Sequence, residues 1–151
     1  MGANNNNTEM PISHRLDPQA PIFVARTKPH QELTAHDHLS RQGYRVWMPE
    51  ITPGCTGGQH EPNQAELLFP QHILLQPGHS GHSLSPAGST RGIAELIYFG
   101  ASLATLQPTS LWELTNRNSR LVGMDPQRRV IELMRLLEQD TLAAKNNARG
   151  L

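Results

Sequence analysis

The strongest structural signal in the sequence is a long amphipathic helix near the C-terminal end. Asp125 is a favourable N-cap residue, and Pro126 is favoured at the first position of a helix. Apolar residues then recur at helical spacing, at Val130, Leu133, Met134 and Leu137, and the stripe is widened by Ile131 and Leu136. Because most helical stability comes from packing of such a face, a second layer of structure must cover this helix.

Four strand-like segments and two shorter helices precede it. The strands are predicted at 22–27, 44–49, 66–76 and 93–99, and the helices at 28–42 and 109–116. Pro70 lies inside the third strand and indicates an edge position or a bulge. Glycines and prolines between 52 and 64 indicate a loop or hairpin tip. This order predicts an α+β sandwich in which a mostly antiparallel sheet is flanked by helices.

Composition limits the possible partners. The 151 residues suit one domain with appendages, and no apolar stretch approaches the ~20 residues of a membrane span. Lys plus Arg and Asp plus Glu balance at 13 each, so contact with a nucleic acid needs a local basic patch. The single cysteine, Cys55, excludes an internal disulfide and agrees with a reducing, cytoplasmic location. The Asn-rich segment 1–20 is predicted to be disordered.

The eight histidines suggest a metal site as one hypothesis. His36 and His38 are two positions apart on a predicted helix, so they point in divergent directions. His79 and His82 lie in a Gly/Ser loop without a cysteine or a carboxylate at ligand spacing. The sequence also lacks a nucleophile elbow, a phosphate loop and a pair of catalytic carboxylates. A His-dependent metal hydrolase is therefore the weaker alternative, and neither catalytic residues nor a cofactor are expected.

A more promising constellation combines basic side chains with neutral donors. Its members are Lys28, His38, Arg41 and Arg91, together with Gln42 and Thr90. His38 and Arg41 are three positions apart and lie on one helical face. If the turn at 90–92 packs near that helix, the set suits phosphate anchoring and contact with exposed base edges. The alternative interpretation is that these charges are solvated and unrelated.

Three stretches carry a resemblance to a known family. They are ARTKPHQELTAHDHLSRQGYRVWMP at 25–49, ELLFPQHILLQ at 66–76 and STRGIAELIYFGAS at 89–102. In this order and spacing they resemble the N-terminal domain of NusG-type transcription elongation factors, and most closely its RfaH-like members. The resemblance runs from about Ile22 to Leu114. It implies a four-stranded antiparallel sheet flanked by helices.

The resemblance also implies two partners for a bacterial protein of this kind. One is the pair of clamp helices of the RNA polymerase β′ subunit, bound through an apolar depression. The other is the exposed non-template DNA strand of a paused complex. The DNA-facing positions would be Lys28, His38, Arg41, Gln42, Thr90 and Arg91. The polymerase-facing positions would be Phe69, Pro70, Leu74, Phe99, Leu111 and Leu114, although ordinary core positions are the alternative for some of these.

Two departures from the family pattern affect the predicted contacts. Arg26 and His72 stand where the family places aromatic residues on the apolar face, which alters the expected clamp-binding surface. A His-Thr-Thr triplet with which RfaH-like members touch a second polymerase element is replaced by Ser83-Leu84-Ser85. The resemblance therefore implies an altered clamp contact and does not support the second contact.

The largest departure concerns the C-terminal part. The family continues into a KOW domain, a small β-barrel, but residues 114–125 leave no room for its strands, so ribosome contact is not expected. The expected organisation is a NusG N-terminal-like domain at 21–118, a linker at 119–125 and a remnant helix at 126–151, in a monomer. By resemblance, Glu66 and Arg129 form a surface ion pair that helps 126–142 mask the clamp-binding face, with Arg128 as a near alternative to Arg129. A truncated decoy that blocks NusG without antitermination is the alternative function.

Overall fold

The computed structural model describes residues 16–51, 66–116 and 118–149. The N-terminal segment predicted to be disordered falls mostly outside these ranges, as does the predicted loop with Cys55. Within the described part, however, Leu16 is only 1% exposed and belongs to the core. The Gln76 amide nitrogen donates hydrogen bonds to the carbonyl oxygens of Asp17 and Ala20. Residues 16–20 thus belong to the folded domain, and the predicted boundary at residue 20 is too late.

The described chain is a mixed α+β structure. In chain order its elements are β1 (Phe23–Thr27), α1 (Glu32–Arg41), β2 (Arg45–Trp47), β3 (Glu50–Ile51), β4 (Glu66–Leu67), β5 (His72–Gln76), α2 (Ser85–Gly88), β6 (Ile93–Leu96), β7 (Tyr98–Phe99), β8 (Ser102–Leu103), α3 (Pro108–Asn116), α4 (Asn118–Val122) and α5 (Pro126–Arg149). The main sheet has four strands in the order β2-β5-β1-β6, and all its pairings are antiparallel. The predicted fold class and its C-terminal helix are therefore confirmed at this level.

The main sheet has an apolar cluster on each face. In the β1–β5 pair, Val24 lies opposite Leu74, and the next pair is Ala25 with Ile73. Because successive side chains on a strand point to opposite faces, the two pairs belong to different clusters. The cluster with Ala25 is covered by α1. The cluster with Val24 is covered by α5, and these two sides are called here the α1 face and the α5 face.

The helix α5 meets the core with a narrower stripe than the sequence suggests. Leu133 and Leu137 are fully buried in the α5-face cluster. Ile131, expected to widen the stripe, is 50% exposed instead. Its position is two residues from Leu133, which turns it about 200° around the helix axis. Along the described part of the chain, no helix is both long and apolar enough to cross a membrane.

The third predicted strand is interrupted rather than continuous. Residues Glu66–Leu67 pair with Glu50–Ile51, whereas His72–Gln76 form an interior strand of the main sheet. Gln71 separates the two with a backbone φ of +64°. Pro70 thus lies in a turn outside the sheet ladder, which is why β5 can occupy an interior position despite it.

Two further element boundaries differ from the predictions. The first helix begins at Glu32 instead of residue 28, because the backbone amide of Gln31 bonds the Lys28 carbonyl and His30 adopts a φ of +61°. The predicted linker at 119–125 contains part of the short helix Asn118–Val122. Both cases involve single-turn structures, which hydrophobic periodicity does not reveal.

The Arg26 and His72 pair lies across β1 and β5 on the α5 face. The Arg26 guanidinium donates to the Glu95 carboxylate at 2.9 Å. Burial lowers the pKa of His72, the Arg26 charge adds to this, and the hydrogen bond with the Pro70 carbonyl opposes it. The neutral form of His72 is therefore favoured, in a place where the resemblance implies an aromatic ring.

This environment predicts a pH-dependent stability. The unfolded chain takes up a proton on His72 at higher pH than the folded chain, so the free energy of unfolding should fall as the pH drops below about 6.5. His72→Gln should flatten this dependence in urea unfolding curves, whereas His30→Asn at an exposed histidine should leave it unchanged. Equal pH slopes in the wild type and His72→Gln would show that His72 does not carry the effect.

Candidate functional site

The six DNA-facing positions predicted from the sequence come together on the α1 face, and they are called here the basic strip. The Gln42 side-chain nitrogen, directly after α1, donates to the Thr90 hydroxyl oxygen at 2.8 Å. The Thr90 hydroxyl in turn donates to the Pro86 carbonyl at 3.0 Å. These bonds attach the 90–92 turn to the C-terminal end of α1. The 90–92 turn therefore packs against α1, as the predicted grouping of basic side chains requires.

A glycine allows the turn to approach the helix. Gly92 has a φ of +90°, and a Cβ at this position would lie 2.9 Å from the backbone nitrogen of Ala35. The Gly92 carbonyl also accepts a hydrogen bond from the Lys28 backbone amide at 2.9 Å. A residue with a side chain here would be strained and would push the turn away from α1. Arg91 is thereby carried beside α1 and close to the end of β1.

The charges of the basic strip differ in availability. Arg41 forms an ion pair with Asp37 at 3.0 Å, but both side chains are largely exposed, so the pair is weak. Lys28 and Arg91 are exposed, and neither has an ion-pair partner among the described residues. His38 is half-buried. The cations most accessible to an anionic ligand are therefore Lys28 and Arg91.

The six positions predicted to face the polymerase are called here the apolar dock, and all of them except Pro70 belong to the cluster on the α5 face or pack against it. Its members differ in exposure. Phe69, Leu74 and Leu111 are at most 2% exposed, whereas Phe99 and Leu114 are half-buried against the same cluster. Pro70 is also half-buried. The helix α5 contributes its own leucines to this cluster, so a partner could reach the buried members only after α5 moves.

The ion pair expected between Glu66 and Arg129 is present. The Arg129 Nη2 atom donates to the Glu66 carboxylate at 3.0 Å, across 63 positions of sequence. Its Nη1 atom donates to the carbonyl oxygens of Leu67 and Leu68 at 3.2 and 3.3 Å. One guanidinium thus joins the start of α5 to the strand β4 and the residue after it.

The burial of this arginine differs from the prediction of a surface pair. Arg129 is 3% exposed, and its Nε donates to the carbonyl oxygens of Leu121 and Met124. The Leu121 carbonyl lies in the last turn of α4 and the Met124 carbonyl lies in the turn that follows it, so the guanidinium also holds the end of this helix. The alternative partner Arg128 is exposed, and its backbone amide is capped by Asp125 instead. Removing one partner of such a buried pair is far costlier than at the surface.

A second set of polar contacts holds the middle of α5. The backbone amide of Thr105 donates to the Thr141 hydroxyl at 2.9 Å, and the Gln107 amide donates to the Asp140 carboxylate at 2.8 Å. Thr141 is buried and also donates to the Leu137 carbonyl. Sequence patterns gave no signal for these bonds, because both residues look like ordinary polar positions of an amphipathic helix. The helix is therefore anchored near both ends of its packed part.

The histidines of the 77–84 loop form a ring stack rather than a chelating pair. The rings of Tyr44 and His82 lie 4.2 Å apart, and those of His82 and His79 lie 4.8 Å apart and nearly parallel. The His82 Nδ1 atom accepts a hydrogen bond from the Gly78 backbone amide at 2.9 Å. Across the described ranges, no three His, Cys, Asp or Glu residues are placed to share a metal ion.

The molecule thus presents two different surfaces on opposite sides of one sheet. The basic strip lies on the α1 face, where all its members except the buried Thr90 are at least partly exposed, and the apolar dock is covered by α5 on the other face. The Ser83-Leu84-Ser85 segment lies at the start of α2, where the Ser83 carbonyl accepts a hydrogen bond from the Tyr44 hydroxyl. Comparison with models of known protein families and with curated proteins finds no match to this chain.

Proposed function

We propose that this chain is a sequence-selective transcription elongation and antitermination factor of the NusG/RfaH type. In this proposal the apolar dock binds the clamp helices of the RNA polymerase β′ subunit. The basic strip contacts the exposed non-template strand of a paused complex. The factor acts by bridging and stabilising the clamp, so it requires neither a catalytic residue nor a cofactor.

The observation that supports the proposal most is the Glu66–Arg129 pair. The family resemblance predicts a contact between the residues before the LFP sequence at 68–70 and the start of the last helix. The two side chains meet at 3.0 Å although no local pattern would bring them together. The four-stranded antiparallel sheet agrees with the same family at the coarser level of architecture.

The chemistry of the basic strip supports the DNA contact. Lys28 and Arg91 supply exposed cations for phosphate groups or base edges, and Arg can donate two parallel hydrogen bonds to a guanine. Gln42 and Thr90 already bond each other, which fixes the distance between α1 and the turn. The donor hydrogens of Gln42 and Thr90 are used within the protein, so these two residues support the site by holding the turn with Arg91 beside α1. A preorganised arrangement of cations loses less conformational entropy on binding than a flexible one.

The position of α5 supports a closed state in which the apolar dock is masked. The described residues from 118 to 149 form α4, a three-residue turn and α5, and they contain no strand of a KOW barrel. A released α5 would therefore uncover the dock without supplying a ribosome-binding surface. DNA contact at the basic strip is the proposed trigger of release.

The proposal can be tested with purified components. The full chain is mixed with RNA polymerase elongation complexes halted at candidate pause elements, and both retention of the chain and readthrough are measured. Retention with increased readthrough supports antitermination. Retention without readthrough, together with displacement of NusG, identifies the decoy instead. A chain that is not retained on any complex contradicts both.

Arg91→Ala should weaken recruitment to a responsive paused complex by about 1–3 kcal/mol, or roughly 5- to 150-fold, if Arg91 makes a base-edge contact. Arg128→Ala removes an equally exposed charge outside the strip and should leave recruitment unchanged. Lys28→Ala should act mainly through the salt dependence of binding, as expected for a phosphate contact. Unchanged recruitment of Arg91→Ala on every pause template would remove Arg91 from the interface.

A further inference from the structure

A cleft of about 380 Å³ opens between residues 17–23 and the 77–80 loop. Its apolar lining comes from Pro21, Phe23 and Pro77. Its polar lining includes Asp17, Arg45 and His79. Apolar walls with a few polar groups are typical of sites for small planar ligands, and the volume is within the usual range of ligand clefts.

The ring of His79 is the outer member of the stack described above. One ring face lies against His82, whose own position is fixed by Tyr44 on its far side and by the Gly78 amide. The His79 Nδ1 atom is bonded to the Ser80 carbonyl at 2.9 Å, which restrains rotation of the ring. His79 is exposed and lines the cleft, so its second ring face is open to a further planar group.

The charges at the cleft favour an anion beside that planar group. Arg45 is exposed and has no ion-pair partner within the described part of the chain. The Asp17 carboxylate accepts a hydrogen bond from the Gln19 backbone amide, so part of its hydrogen-bonding capacity is used within the 17–19 turn. A ligand with one flat ring and a neighbouring phosphate matches this arrangement.

The cleft adjoins the basic strip through a tight backbone contact. A Cβ on Gly78 would lie 2.0 Å from the Gly43 carbonyl oxygen, so the loop can pack here only with glycine. Gly43 directly follows Gln42, which is bonded to Thr90. The path from Thr90 through Gln42 to His79 therefore runs over contiguous surface at the C-terminal end of α1.

We propose that this cleft binds one unpaired base of the single strand that crosses the basic strip. The base stacks on the open face of His79, and the adjacent phosphate is held by Arg45. The inference rests on the proposed function, because it assumes that the basic strip contacts a single-stranded nucleic acid. It adds a stacking site that the family resemblance does not include.

The test uses the full chain, labelled with 15N and 13C, and two probes followed by NMR. Free thymidine monophosphate and a single-stranded octathymidylate are titrated separately. Ring-current shifts of the His79 ring protons are expected with both probes, since stacking places the base over that ring. The octamer should bind at least about tenfold more tightly, because it also reaches the cations of the basic strip.

Variants of the cleft provide the controls. His79→Ala should weaken octamer binding about 5- to 100-fold, and His79→Phe should restore it, as base stacking on an aromatic ring is tolerant of ring type. Arg45→Gln should reduce the salt dependence of octamer binding. Circular dichroism checks that the folds are equal, which is expected because both side chains are exposed.

The outcomes separate this inference from the proposed function. Saturable, His79-dependent octamer binding supports the cleft even if polymerase recruitment fails. If polymerase recruitment depends on Arg91 but His79→Ala leaves octamer binding unchanged, the base-binding role of the cleft is wrong and the proposed function stands. If the mononucleotide binds as tightly as the octamer, the cleft is a site for a free nucleotide and the claim that it binds a base of a single-stranded nucleic acid is wrong. Absence of shifts at His79 with both probes overturns the inference.

Discussion

Removal of residues 125–151 is expected to raise the affinity of the chain for RNA polymerase at least tenfold and to relax its dependence on the DNA element. The reason is that α5 occupies the apolar dock through Leu133 and Leu137, so only molecules with a displaced helix can bind. A closed state favoured by about 1.4 kcal/mol leaves roughly one molecule in ten open, and apparent affinity falls by that fraction. Binding assays on paused complexes with and without the element measure both effects.

A shorter truncation provides the matched control. Residues 143–146 are exposed and follow the last buried position of α5, so removal of 143–151 should leave polymerase affinity unchanged. The longer truncation must also remain folded by circular dichroism. If it unfolds the domain or lowers the affinity, α5 is a permanent part of the core and the autoinhibitory role is wrong.

Arg129→Met is expected to lower the free energy of unfolding by about 3 kcal/mol, near the lower limit for breaking a buried ion pair. The lower limit applies because the Glu66 side chain is 30% exposed and can be partly hydrated. The methionine fills the space of the arginine but has no hydrogen-bond donor. Four backbone carbonyls therefore lose the hydrogen bonds that they accept from Arg129. Urea unfolding gives the stability, and hydrogen exchange of α5 amides shows whether the loss is local.

Three variants identify the source of this effect. Arg129→Lys keeps the charge but not the planar donor geometry, so it should recover only part of the stability. Glu66→Gln should cost less than Arg129→Met, since the carbonyl bonds of Arg129 persist. Arg128→Met changes an exposed arginine of the same turn and should be nearly neutral. Equal losses for Arg128→Met and Arg129→Met would contradict the role given to the buried guanidinium.

The sequence predicted the architecture well where periodicity carries the information. The strand at 22–27 and the helix after Pro108 appear within a residue of their predicted positions. Their apolar residues alternate or recur over a full element, so burial on one face is visible in the pattern. The final helix is the clearest example, because an N-cap, a proline and an apolar stripe all agree.

The sequence failed where single residues determine the backbone. Gln71 and His30 adopt positive φ angles, which break a predicted strand and shorten a predicted helix. Glutamine is not a usual marker of this conformation, and histidine, although enriched in it, adopts it too rarely for His30 to be identified from the sequence. Leu16 lies beyond an Asn-rich segment, so its place in the core could be recognised only from the tertiary packing.

The candidate site was only partly accessible to sequence reasoning. The residues of the basic strip were predicted from their spacing and from the family resemblance. The hydrogen bond that joins Gln42 to Thr90 is visible only in the structure. The burial of Arg129 depends on carbonyls about 60 positions away, which no local pattern encodes. The ring stack of the 77–84 loop was likewise hidden, because histidines three positions apart in a loop have no fixed relative orientation.

Because α5 is held largely by apolar contacts, its release should be accompanied by an increase in heat capacity. Displacing the helix would expose Leu133, Leu137 and the cluster beneath them, and newly hydrated apolar surface increases the heat capacity. The enthalpy of release therefore changes with temperature, and the apolar part of the restraint weakens on cooling. The basic strip on the opposite side of the sheet consists of charged and polar side chains, so ligand binding there would lack this large apolar contribution. A change in temperature would therefore shift the balance between the packed and the displaced positions of α5, and in the proposed function this balance sets access to the apolar dock.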